Sequence, residues 1–119
     1  MTLQTTNPTI ELLLTRRSLV VSKMTEPGPN ADELETILRC ATRVPDHGKL
    51  SPWRIQVVQG DARHDLGRVW GEIYKRNNPE APTEQLDFEY NRPCRAPIML
   101  MMSTKIESQR IPAWEQILS

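Results

Sequence analysis

Aromatic residues are scarce in this chain: three Trp, two Tyr and one Phe among 119 residues. No stretch interleaves aromatics with arginines to make a platform for stacked bases, which argues against a nucleic-acid-binding module. An excess of either charge is missing too, since 15 Lys and Arg balance 15 Asp and Glu. No global field therefore draws the chain to a polyanion or an anionic membrane, and the charges are interspersed rather than blocked. Cys40 and Cys94 stand far apart with no C-x-x-C spacing. They read as two reduced thiols of a cytoplasmic protein. His47 and His64 are the only histidines, and neither has metal-ligand spacing around it. His64 reads as a solvated helix residue. The longest apolar run, Pro97 to Met102, is far too short to span a bilayer. The opening MTLQTTNPT lacks the basic start and apolar stretch of a signal peptide.

What is present is enough for one modest domain, 1–119, with a core of its own. Asn7-Pro8 looks like a helix cap followed by proline in the first turn, with Ile10, Leu13 and Leu14 on one face. That pattern ends at Arg16, Arg17 and Ser18. Asn30 opens a second helix, Glu33 completes a capping-box spacing, and Leu34, Ile37, Leu38 and Ala41 form its apolar stripe. Pro45 is expected to close it. Trp53, Ile55 and Val57 alternate with Arg54 and Gln56 as a strand. A third helix carries Leu66, Val69, Trp70, Ile73 and Tyr74 on one face, and a short one covers Glu84 to Asn91. Pro97 to Ser103 reads as a second strand, apolar on both faces and so central in a sheet. Pro112 starts a last helix with Trp114, Ile117 and Leu118.

Two basic clusters carry the chemistry. In TRRS, two guanidiniums and a hydroxyl at a helix end could clamp a phosphate. The plainer alternative is that the cations complement the helix dipole. In TRVPDHGK, Arg43, His47 and Lys49 crowd the connection from helix to strand, where a solvated loop is again the plainer alternative. HGK lacks the first glycine and the hydroxyl of a P-loop, so a nucleoside triphosphatase is not indicated. No serine or cysteine sits in a nucleophile elbow. Taken together the clusters make a plausible anion site.

The segments LLLTRRS, PGPNADELETILRCATRVPDHGKLSPWR and RAPIMLMM…RIPAWEQ resemble the nitroreductase family, in its compact branch with a P-D-H motif. The resemblance runs over essentially the whole chain in the family's order. It implies an α+β fold with helices around a mainly antiparallel sheet, a homodimer, and FMN at the subunit interface. It further implies ping-pong transfer from NAD(P)H to a nitro compound, quinone or similar acceptor. By position, Arg16, Arg17 and Ser18 would hold the FMN phosphate from one subunit, and Arg43 and His47 would reach the same flavin from the other. Lys49 could favour reduced flavin or contact the nicotinamide nucleotide, although a solvated lysine is the simpler reading. No side chain is assigned as a catalytic acid, base or nucleophile.

The chain departs from the family pattern in two places. No basic residue follows Ser18, and the sequence stops at WEQILS, where family members continue into a long central helix and a further flavin-contacting segment. The expectation is an N-terminal portion of the fold that, when isolated, folds poorly or dimerises weakly, and binds FMN loosely if at all. A non-catalytic fragment is the competing reading, and a flavin-fragmenting or dehalogenating enzyme a lesser one.

Overall fold

The computed structural model describes residues 7–107 and 109–119. The opening stretch read for a signal peptide falls mostly on residues 1–6, outside the described part. The elements are α1 (Pro8–Thr15), α2 (Ala31–Ala41), β1 (Trp53–Gln59), α3 (Ala62–Asn77), α4 (Thr83–Asn91), β2 (Ile98–Thr104) and α5 (Ala113–Leu118). Short 3₁₀ turns cover Val21–Lys23, His47–Lys49 and Arg92–Arg95. The class is α+β. No helix among the described residues is long and apolar enough to cross a membrane.

The caps form where the sequence places them. Asn7 Oδ1 accepts from Thr9 N at 2.9 Å, with Pro8 in the first turn of α1. Asn30 and Glu33 close a reciprocal box, each side chain accepting from the other's backbone N–H at 2.9 Å. A cap of this kind is worth roughly 1 kcal/mol. α2 ends before Pro45 is reached. Its last residue is Ala41, and the Thr42 hydroxyl donates back to Leu38 O at 3.0 Å while Arg43 N tightens onto Cys40 O. The end falls four residues before Pro45, whose missing N–H could not have bonded Ala41 O, so the proline closes the helix as expected and these local bonds finish its last turn.

β1 and β2 form an antiparallel pair, with Ile55 opposite Met102 and Val57 opposite Leu100. β2 pairs with β1 alone among the described residues, so the expected central position is not seen. Its apolar faces are half-covered instead. In β1, Trp53 and Ile55 are half-buried as the alternation requires, but further along Val58 is covered and Val57 is open. The face carrying Val57 has no complete layer over it.

α3 packs against α4 and the Arg92–Arg95 turn on a face where Leu66, Trp70 and Tyr74 of the expected apolar stripe are half-buried and its two glycines come closest to the neighbour. Gly67 and Gly71 are buried, whereas Val69 and Ile73 are about half exposed. A Cβ on Gly67 would overlap the Tyr90 carbonyl, and one on Gly71 would overlap the Tyr90 ring. The two glycines, four apart, form a notch that admits the end of α4. Tyr90 then donates its hydroxyl proton to Glu72 Oε1 at 2.6 Å.

Among the described residues no large apolar side chain is fully buried. The radius of gyration is 18.9 Å, where a compact chain of this length has about 13.5 Å. The accessible surface is 10043 Å², against roughly 6600 Å² for a compact chain of similar mass. Leu13 and Leu14 of α1 stay 66% and 75% exposed. The apolar faces predicted from periodicity exist, but much of their covering surface is not supplied by these residues.

Candidate functional site

α1 presents the first cluster at its C-terminus. Arg16 caps the helix, donating its backbone N–H to Leu12 O at 2.8 Å and then turning extended. Its Nη2 donates to Ser18 Oγ at 3.0 Å, which draws the guanidinium and hydroxyl together. All three of Arg16, Arg17 and Ser18 are exposed. Arg17 has no carboxylate partner among the described residues.

The second cluster is built on an unusual turn. Asp46 accepts from Leu50 N at 3.1 Å through Oδ1 and from Ser51 N at 2.8 Å through Oδ2. The backbone in between is left-handed at Gly48 (φ 78°), Lys49 (φ 51°) and again at Ser51 (φ 46°). Glycine takes this conformation freely, but Lys and Ser do so at a cost of about 1 kcal/mol or more each. Two carboxylate hydrogen bonds offset that cost. Asp46 was not singled out by sequence, although an Asp between Pro and Gly is a recognisable turn former.

This turn lines a hollow of about 520 Å³ with Thr42, Arg43, Asp46, Lys49, Ser51 and Trp53 among its walls. Arg43 and Lys49 have no carboxylate partner among the described residues. The hollow therefore offers two cations that form no ion pair among those residues, one carboxylate already engaged by two backbone N–H groups, hydroxyls and an indole. Such a set suits an anionic, partly aromatic ligand.

His47 does not line the hollow. Its Nδ1 lies 2.6 Å from Glu115 Oε2 on α5, with the histidine 64% and the glutamate 28% exposed. A carboxylate can only accept, so Nδ1 carries the proton and Nε2 is left for another partner. The next residue, Gln116, is fully buried: its Nε2 donates to Ile111 O at 2.7 Å, and its Oε1 accepts from Glu107 N at 3.1 Å. Gln116 thus fastens α5 to the preceding loop, and Glu115 fastens α5 to the turn. Neither was foreseen, because 68 residues separate His47 from Glu115 and local spacing carries no sign of the pairing.

No hydrogen bond or ion pair among the described residues joins the first cluster to the second. Arg16, Arg17 and Ser18 form one group, Arg43 and Lys49 another, and His47 a third with Glu115.

A profile described as "Nitroreductase family" matches residues 16–118. "Putative NAD(P)H nitroreductase YdjA" of Escherichia coli (strain K12) is 35% identical over 113 residues, covering 92% of this chain and 58% of that protein. "Putative NAD(P)H nitroreductase" of Haemophilus influenzae is 35% identical over 112 residues, covering 92% of this chain and 59% of that protein. The chain spans less than two-thirds of the length of these relatives. The matched region contains both basic clusters, the Asp46 turn and Glu115.

Proposed function

The chain belongs to the nitroreductase family, and from that premise we propose that it serves an FMN-dependent oxidoreductase that uses NAD(P)H. The observation that carries this reading is the hollow behind the Asp46 turn, where Arg43 and Lys49 form no ion pair among the described residues and the Asp46 carboxylate is taken up by backbone N–H groups. These residues fit a flavin phosphate or its polar edge, because both are rich in acceptors and the two side chains can only donate.

In this reading Arg16, Arg17 and Ser18 hold the FMN phosphate, with Arg16 already oriented on Ser18. Arg43 and His47 contact the same cofactor from the other subunit of a homodimer. The open apolar surface of α1 is in keeping with a site assembled in trans. FMN, when bound, supplies the two-electron chemistry that links NAD(P)H to a nitro compound, quinone or similar acceptor in ping-pong fashion. The protein's own residues bind and orient; none is placed as an acid or base. A cytoplasmic setting accords with that use of NAD(P)H.

A second reading has one observation in its favour. With no large apolar side chain fully buried among the described residues, this length of chain would stay an inert fragment that does not complete a flavin site. An FMN titration followed by flavin fluorescence separates the two. Quenching, then bleaching on anaerobic NAD(P)H addition, is expected for the oxidoreductase. Free-flavin fluorescence throughout would sink it for this chain and favour the fragment.

A further inference from the structure

Cys94 and His64 play no part in the proposed flavin site, yet the fold brings them together. Cys94 Sγ lies 3.4 Å from His64 Nδ1, across 30 residues of sequence. His64 sits in the first turn of α3, and Cys94 in the Arg92–Arg95 turn that packs on it. The pairing is held by tertiary structure on both sides. Pro93 is fully buried beside the cysteine. Arg63 donates to Ala96 O at 2.6 Å and approaches Glu26 at 3.6 Å, clamping the segment that follows. Arg95, adjacent to Cys94, lies over the Phe88 ring at 5.0 Å and has no carboxylate partner among the described residues.

We propose that Cys94 is a reactive thiol, activated by His64, that undergoes exchange with small anionic disulfides of the glutathione type. A thiol is a weak nucleophile until its proton leaves, and an imidazole within hydrogen-bond reach can take that proton as attack proceeds. With the ring proton on Nε2, His64 Nδ1 is the acceptor that faces the sulfur. The exchange balances without an added oxidant. Cys94 Sγ forms a bond to one sulfur of the disulfide, the S–S bond breaks, and the proton passes through His64 to the departing thiolate. The product is a mixed disulfide on Cys94 and one free small thiol. Arg95 supplies the positive charge that a carboxylate-bearing disulfide would meet on approach.

Cys40 provides an internal control. It is exposed on α2, whereas Cys94 is only half exposed, and no hydrogen bond reaches the Cys40 thiol among the described residues. Access alone therefore ranks Cys40 as the faster site. The structure ranks Cys94 first.

The test treats the purified chain with glutathione disulfide and follows each cysteine by peptide mass spectrometry, in buffer and in urea. In buffer Cys94 is expected to react about tenfold or more faster than Cys40, since a positioned base contributes at least that much. In urea the two rates should converge. His64→Ala should slow Cys94 about tenfold and leave Cys40 unchanged, and free imidazole should restore the lost rate. A native ratio equal to that in urea, a faster Cys40, or an unaltered Cys94 rate in His64→Ala would each overturn the proposal.

Discussion

Glu115 and His47 are joined at 2.6 Å, so the last helix of the chain is tied to the turn that follows α2. The carboxylate is mostly covered and the imidazole mostly open. The pair orients one ring nitrogen and leaves the other outward. Screening by solvent limits its worth to roughly 1 kcal/mol. Glu115→Gln and His47→Gln should each lower the urea midpoint by an amount of that order. In the double variant the losses should overlap, giving a coupling energy in a double-mutant cycle; simple additivity would show that the contact contributes nothing.

Gly67 meets the Tyr90 backbone carbonyl, and backbone cannot swing aside as a side chain can. Gly67→Ala should therefore destabilise the protein by about 1–3 kcal/mol, despite alanine's better helix propensity. Gly60→Ala is the matching control. Gly60 has a left-handed backbone (φ 57°) but nothing within 4 Å of an added Cβ, so its cost is confined to backbone strain of about 1 kcal/mol. Thermal melts of the two variants should rank Gly67→Ala as the less stable.

Tyr90 has its pKa raised above 10.0, first by the hydrogen bond it donates to Glu72, then by desolvation and by the charges of Glu72 and Asp87. The folded protein thus holds this proton longer than the unfolded chain. The associated stability is complete below about pH 10 and declines as pH rises through the raised value. Tyr90→Phe should remove that part of the alkaline slope. Urea unfolding at a series of alkaline pH values checks it, and parallel slopes for the two proteins would contradict the assignment.

The proposed flavin site, if assembled from two subunits, makes a prediction for mixtures of variants. Arg16→Ala and Arg43→Ala should each weaken FMN binding about tenfold or more, the scale of one hydrogen bond to a charged group. Mixed together and allowed to exchange subunits, the two variants should recover part of the tight binding. A mixed dimer would hold one site with both substitutions and one with neither. If both clusters served the same subunit's flavin, mixing would restore nothing.

Elements set by local chemistry were legible in the sequence. Asn7-Pro8 and the Asn30/Glu33 box produced the helix starts expected of them, and both strands lie within a residue or two of their expected bounds. Burial was harder to foresee. Periodicity marks the stripe of α3 on which Leu66, Trp70 and Tyr74 are half-buried, but not that Gly67 and Gly71 beside them are where Tyr90 comes closest. Likewise the stripe of Ile10, Leu13 and Leu14 is visible in the sequence, whereas its cover is not supplied by the described residues. Within the candidate site, Arg43 and Lys49 were evident as charge crowded into a turn. Asp46 and Glu115 act through hydrogen bonds to backbone and to a distant residue, and neither kind of bond leaves a periodic trace.

The Asp46 turn changes what recognition at this place would look like in time. Because its carboxylate already holds Leu50 N and Ser51 N, the backbone beneath Lys49 is shaped before any ligand arrives. A prearranged jaw of this kind has little conformational freedom left to lose on capture. Association should then proceed in one bimolecular step, its observed rate climbing in proportion to ligand concentration without a plateau. Asp46→Ala would release the jaw and introduce a slow closing phase.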